Sequence, residues 1–269
     1  MYYIRGRENT KIAVYDLNIG GKQTVVFIHG WPLSAEIFEY QKQFLIEHGF
    51  RVVCIDLRGF GESDVTAYGY GYTTFAQDIH AVVRSLQLKS FILAGFSMGG
   101  AIALRYMKLF RGESVKKLAL LAAAAPRLTR TTNFQYGVLR ESIDEWIELA
   151  KTDRPKLCED FSGKLFNLPH STAVKNWFRA IAVSASGIGT VESACSLRSE
   201  DCRDDLLYVN VPTGIFHGKC DVIVPYELAE YQHKMICRSE LFSFKDSGHA
   251  IFYDELENFN HAFLDFIKS

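Results

Sequence analysis

Apolar and polar positions follow two alternating rhythms over residues 1–126. Continuous apolar runs, as in strands buried on both faces, occur at Thr24-Val25-Val26-Phe27-Ile28, Arg51-Val52-Val53-Cys54-Ile55-Asp56 and Phe91-Ile92-Leu93-Ala94. A further strand is expected over Lys117–Ala122, and Lys11–Tyr15 reads as half-buried. Between these runs the spacing predicts helices. One covers Glu36–His48, with Ile37, Tyr40, Phe44 and Leu45 on one side; one covers Thr73–Leu86, capped by Thr73 or Thr74; one covers Met98–Phe110. Strand–helix alternation of this kind calls for a parallel sheet with helices on both faces.

The rhythm changes at Pro126. From Arg127 to about Leu206 there is no buried-strand pattern, only helical stretches near 138–151, 154–166, 171–183 and 189–198. Strand patterning returns at Thr213–Gly218 and Leu241–Phe244, and an amphipathic helix is expected from Asp254 to Ile267. The chain thus reads as an α/β core of residues 1–126 and 207–269, interrupted by a helical cap at 127–206. The short Tyr68-Gly69-Tyr70-Gly71-Tyr72 stretch reads as a surface turn.

Composition narrows the function classes. At 269 residues and 48 % hydrophobic types, the chain can bury one large core. Its 30 basic and 31 acidic residues leave a formal charge of −1, so no net field draws it to phosphate backbones or anionic lipid. Nucleic-acid binding is therefore not expected. None of the six cysteines forms a C-x-x-C pair, and no histidines show H-x-x-x-H spacing, so neither a disulfide framework nor a metal site is expected. The N-terminal residues lack the apolar segment of a signal peptide, and the longest apolar run, Leu118–Ala125, is far short of the ~18 residues of a membrane helix. A cytoplasmic protein without membrane insertion is the expectation.

The chemistry concentrates at Gly95-Phe96-Ser97-Met98-Gly99, a G-x-S-x-G run entered by an apolar strand and left by a helix. On such a turn the serine hydroxyl projects at a helix N-terminus, where amide N–H groups can stabilise negative charge. A serine nucleophile needs a base, and the base an orienting carboxylate. Of the eight histidines, His249 in Asp246-Ser247-Gly248-His249-Ala250 follows the last strand and precedes the last helix. His29 and His217 also end strands, but the order serine, acid, histidine selects His249. Asp221, just after His217-Gly218-Lys219-Cys220, is the candidate acid; Asp246 is the runner-up and reads better as a turn residue. His29-Gly30-Trp31-Pro32 follows the Thr24–Ile28 strand, where an oxyanion loop belongs. The N–H groups of Trp31 and Met98 are the expected oxyanion donors, with His29 bracing the loop. Pro32 restricts Trp31 to extended backbone, which fixes the direction of the Trp31 carbonyl. Pro32, Phe96 and Ile223 are candidates for the substrate pocket, and Trp146, Phe161, Phe166, Trp177 and Phe178 either roof it or form the cap's own core. Asp56–Ser63 lacks the lysine of a phosphate loop and reads as a bracing turn. Cys54 reads as strand packing, and Cys220 carries no catalytic expectation.

At these residues the chain resembles the α/β-hydrolase family over nearly its whole length. Its His29–Ser34, Asp56–Ser63 and Gly95–Gly100 segments are similar to those of the cofactor-free (non-haem) haloperoxidase and aryl-esterase branch. The resemblance implies a mostly parallel eight-stranded sheet flanked by helices, an inserted helical cap and a Ser97–Asp221–His249 triad. It also implies ester hydrolysis without a cofactor, with peracid formation from a carboxylic acid and hydrogen peroxide as a side reaction. Serine rather than aspartate at 97 argues against haloalkane dehalogenase and epoxide hydrolase chemistry. The expected partner is a small-molecule ester or acyl substrate, and self-association is compatible with the composition. A ligand receptor of the same fold with little turnover, or a lactone or C–C bond hydrolase, remains the alternative, because fold does not fix function.

Overall fold

The computed structural model describes residues 1–269. Strands β1 (Tyr2–Arg5) and β2 (Lys11–Leu17) form an antiparallel pair. Then come β3 (Thr24–Ile28), α1 (Glu39–Glu47), β4 (Arg51–Ile55), α2 (Tyr72–Ser85), β5 (Phe91–Phe96), α3 (Met98–Phe110) and β6 (Val115–Leu121). Four helices follow with no strand between them: α4 (Arg140–Thr152), α5 (Arg154–Lys164), α6 (Thr172–Ser184) and α7 (Gly187–Ser199). The chain closes with β7 (Thr213–Gly218), α8 (Glu227–Met235), β8 (Ser239–Phe244), α9 (Ile251–Asp254) and α10 (Leu256–Lys268).

All eight strands join one sheet in the order β1-β2-β4-β3-β5-β6-β7-β8. Pairing is parallel from β4 through β8 and antiparallel at β1–β2 and β2–β4. The central strands β3 and β5 are buried at every position, which explains their unbroken apolar runs. Because the inner strands run parallel, their carboxyl ends share one edge, and the loops after β3, β5, β7 and β8 meet there. No single helix is long and apolar enough to cross a membrane.

Some elements depart from the sequence pattern. Strand β1 buries only Ile4 and pairs at the sheet edge, so it carries no apolar alternation to detect. Helix α8 turns a polar side chain inward: buried Gln232 donates to the carbonyls of Ala123 and Ala125. In the first helix Tyr40 is 41 % exposed, and its expected inward place belongs to Gln41, bonded to Phe252 O and Asn260 Oδ1. Neither Thr73 nor Thr74 caps α2; the helix begins at Tyr72, whose N–H donates to Glu200 Oε1 at 3.1 Å. The expected surface turn is exposed only at Tyr68, while Tyr70 and Tyr72 are buried. The final helix is broken at Glu255 into α9 and α10.

The turn after β4 is fastened by buried polar groups. Asp56 Oδ1 accepts from the Ala35 N–H at 2.8 Å and Oδ2 from the Glu62 N–H at 2.9 Å. Next to it, Arg58 donates through Nε and Nη2 to both carboxylate oxygens of Asp78 on α2, at 2.7 and 2.9 Å, and both side chains are buried. Burial pushes the Asp78 carboxyl above its ordinary range, opposed by the Arg58 hydrogen bond and charge. Breaking one side of a buried pair leaves the other charge unpaired, at a cost of about 3–5 kcal/mol. Arg58→Met is therefore expected to lose about that much stability in urea unfolding, and Arg58→Met with Asp78→Leu to recover most of it. A double variant no more stable than the single one would show that the pair is not the source of the loss.

Candidate active site

Four loops at the carboxyl edge of the sheet build the site. Ser97 sits between β5 and α3 with φ 53° and ψ −119°, outside the conformations that L residues favour. The strain is held by backbone bonds: Ser97 N–H to Leu121 O at 2.9 Å, and Ser97 O accepting from Gly100 and Ala124 N–H at 3.0 and 2.9 Å. Gly99 permits the turn, because a Cβ there would stand 2.4 Å from the Ile28 carbonyl oxygen. The G-x-S-x-G run is thus a packing requirement between α3 and β3 as well as a mark of chemistry.

The loop after β3 lies directly on this turn. A Cβ at Gly30 would stand 2.7 Å from Ser97 Cβ. His29 is fully buried; its Nε2 accepts from the Leu57 N–H at 3.0 Å, so its proton lies on Nδ1 and is donated to Gly30 O at 2.9 Å. Burial holds His29 below the ordinary imidazole pKa, against the pull of Asp56. His29 braces the loop, as its position suggested. The backbone N–H groups of Trp31 and Met98 make no hydrogen bond within the chain and are free to receive an anion. The Trp31 indole N–H donates to Thr190 O of α7 at 2.9 Å; its ring stacks on Trp146 at 5.4 Å and meets Phe161 edge-on at 5.2 Å.

Asp221 and His249 come from neighbouring strand ends. Their loops are joined by Lys219 N–H to Phe244 O at 2.9 Å and Cys220 N–H to Ser247 O at 3.0 Å. Asp221 Oδ2 lies 2.7 Å from His249 Nδ1, and Oδ1 accepts from the N–H groups of Ile223 and Val224 at 2.9 and 2.8 Å. Burial opposes the Asp221 charge, but the His249 charge and hydrogen bonds from His217 and His249 prevail and hold its pKa below the usual carboxylate value. An ionised acceptor puts the His249 proton on Nδ1 and leaves Nε2 as the basic nitrogen. That Nε2 is buried and has no partner. The ring of Phe96, the residue before the serine, lies 4.8 Å from the His249 ring. The Ser97 hydroxyl makes no bond to Nε2 here; such contacts commonly tighten only when substrate is bound.

The other expected residues divide. Asp246 is exposed, its carbonyl accepts from Asn167 and its N–H donates to Glu255, and its carboxylate makes no hydrogen bond or ion pair. Phe96 is fully buried between His249 and Phe252, where it braces the histidine. Ile223, 3 % exposed, meets Asp221 through its backbone, and Pro32 is buried after Trp31. Of the cap aromatics, Trp146 and Phe161 gather on Trp31, whereas Phe166, Trp177 and Phe178 pack with Tyr253. The cysteines are all free; buried Cys54 has its thiol pushed up to about 12 by burial.

One fastening had no sequence signal. Buried Asp254 accepts from Gly248 N–H at 2.7 Å and Asn167 N–H at 2.8 Å, and its Oδ1 lies 2.7 Å from His170 Nε2. It pins the segment after α5 to the His249 loop.

The alpha/beta hydrolase fold family matches residues 23–256. The chain belongs to that family. It is 44 % identical, over 100 % of this chain and 99 % of the relative, to the AB hydrolase superfamily protein YisY of Bacillus subtilis (strain 168). Among solved structures it is similar to an esterase from Exiguobacterium antarcticum, with TM-score 0.97 and 43 % identity over 100 % of this chain and 99 % of that one. It is also similar to a bromoperoxidase from Bacillus anthracis, with TM-score 0.95 and 31 % identity over 100 % and 99 % of the two chains.

The geometry separates the two acidic candidates. Asp221→Asn should cut ester turnover by about 10⁴, the cost of misorienting a catalytic imidazole. Asp246→Asn should leave turnover within about twofold, since its exposed carboxylate makes no hydrogen bond or ion pair and His249 Nδ1 is paired with Asp221. Measured kcat values in the reverse order would reassign the acid.

Proposed function

We propose that this hydrolase cleaves carboxylic esters through an acyl-enzyme, with Ser97 as nucleophile, His249 as general base and acid, and Asp221 as its orienting carboxylate. The observation that carries the reading is the buried 2.7 Å contact between Asp221 and His249 Nδ1, with Nε2 unpartnered beside the Phe96–Ser97 turn. His249 takes the Ser97 proton as the oxygen attacks the acyl carbon. The Trp31 and Met98 N–H groups receive the oxyanion. His249 then protonates the departing alcohol and activates water, which releases the acid and restores Ser97. Likeness to the Exiguobacterium antarcticum esterase supports the substrate class.

A perhydrolase side activity is the second part of the reading. It is supported by the bromoperoxidase likeness and by the Trp31 carbonyl, which accepts no hydrogen bond within the chain. That oxygen can accept from hydrogen peroxide and hold it at the acyl-enzyme in place of water. Peroxide oxygen then bonds to the acyl carbon, the acyl bond to Ser97 Oγ breaks, and the peroxide proton passes through His249 to Oγ.

Ser97→Ala should fold normally and lose about 10⁶ in kcat on p-nitrophenyl acetate. Turnover within tenfold of the parent would end the nucleophile assignment. Pro32→Leu should lower peracid formation, followed by monochlorodimedone bromination in acetate with peroxide, while ester hydrolysis survives. Equal peracid rates in the two proteins would reduce Pro32 to a loop-stiffening role.

A further inference from the structure

Strand β7 ends on a second buried histidine that the proposed mechanism does not use. His217 is fully buried, one helical turn's spacing before Asp221. Its Nε2 lies 2.8 Å from Val224 O and 3.3 Å from Asp221 Oδ2. Both neighbours are acceptors, so the ring proton lies on Nε2. Nδ1 has no partner in its buried surroundings, so a second proton there would find no acceptor. The His217 Nε2–H therefore points to the Val224 carbonyl, with the Asp221 carboxylate as its longer second neighbour.

Asp221 consequently has four nitrogens around its carboxylate. Two backbone N–H groups hold Oδ1, His249 Nδ1 lies 2.7 Å from Oδ2, and His217 Nε2, whose N–H donates to Val224 O at 2.8 Å, reaches Oδ2 as a longer second contact at 3.3 Å. A carboxylate that already accepts other donors carries less charge toward each of them. We propose that His217 is a positioning residue for ester hydrolysis: its Nε2–H fixes the rotation of the Asp221 carboxylate and limits how strongly that carboxylate stabilises the protonated form of His249. The inference rests on the reading of Ser97, Asp221 and His249 as the triad.

The ionisable groups around this trio are few. Tyr226, just before α8, presents its ring edge-on to His217 at 5.9 Å, and Lys219 Nζ lies over the Tyr226 ring, 5.6 Å from its centre. From the β8 side come His249 itself and Asp254, which binds the Gly248 N–H and pairs with His170. Cys220 follows Lys219 in the loop, with its thiol on Lys245 O. Strand β6 pairs with β7 up to Leu121–Phe216 and offers no ionisable side chain at that end. The β5–α3 turn contributes Ser97.

The test compares His217→Leu, which removes the donor, with His217→Gln, whose amide N–H can reach the same place. For each, kcat and kcat/KM on p-nitrophenyl acetate are followed from about pH 5 to 9. One lost hydrogen bond of ordinary strength predicts that the acid limb of kcat/KM moves up by about 0.5–1 pH unit in His217→Leu. Plateau kcat should fall about tenfold with KM within about twofold, and His217→Gln should restore the limb and most of kcat. A folded His217→Leu variant with an unmoved acid limb would overturn the proposal, even if its kcat fell. Should both variants fail to fold, nitrogen-15 NMR of the parent protein decides: protonation of His217 at Nε2 supports the donor role, and protonation at Nδ1 removes it. Turnover surviving Ser97→Ala would instead defeat the triad reading, whereas protonation of His217 at Nδ1 would defeat the donor role alone.

Discussion

Two backbones touch where strands β7 and β8 end, and the proposed catalytic geometry depends on that contact. A Cβ at Gly218 would stand 2.2 Å from Gly248 O and 2.3 Å from Ser247 O, so only glycine lets the loops close on each other. With the loops that near, Cys220 N–H reaches Ser247 O, and the Asp221 carboxylate arrives 2.7 Å from His249. Parallel strand order brings the two loops to one edge; the missing side chain sets their separation. The pairing of Asp221 with His249, and with it the choice of Nε2 as the unpartnered ring atom, follows from this approach.

The His249 loop is held from its other flank by the inserted helices. Leu165 O accepts the Ala250 N–H at 2.8 Å, and Asp254 ties Gly248 to Asn167 and His170. The segment after α5 is thus part of the frame that fixes the base. Rotational freedom of the histidine is removed by Asp221 at one ring atom, by Phe96 at the ring face and by these backbone bonds at its root. Such preorganisation matters because orienting the reacting groups beforehand is a large part of what an active site contributes.

The sheet was legible because buried parallel strands and amphipathic helices leave opposite periodicities, and β3, β4, β5 and β7 show theirs without interruption. The residues proposed as the triad stood out as candidates for a different reason: Ser97, Asp221 and His249 each follow a strand, in the order serine, acid, histidine. Elements stabilised by polar burial escaped. Gln41 and Gln232 face inward, where a hydropathy pattern expects apolar side chains, and Asp254 looks like any acid near a helix start. Their partners are backbone groups far away in sequence, which no local spacing encodes. The cap aromatics were visible as a set, but their division between Trp31 and Tyr253 depends on how α4, α5 and α6 cross, which is tertiary information.

Trp31 joins the two parts of the molecule, and its two kinds of contact separate access from catalysis. Ser97 is only 5 % exposed. The inserted helices grip Trp31 through the side chain: the indole N–H on Thr190 O, the ring on Trp146 and Phe161. The backbone at that point is held from below instead, by His29 Nδ1–H on Gly30 O and by the Leu33 N–H on the same oxygen at 3.0 Å. A shift of α4, α5 or α7 would therefore free the indole while leaving the peptide that carries the Trp31 N–H in place. The donors proposed for the oxyanion belong to the rigid sheet edge, and the aromatic contacts that close the site belong to the helices.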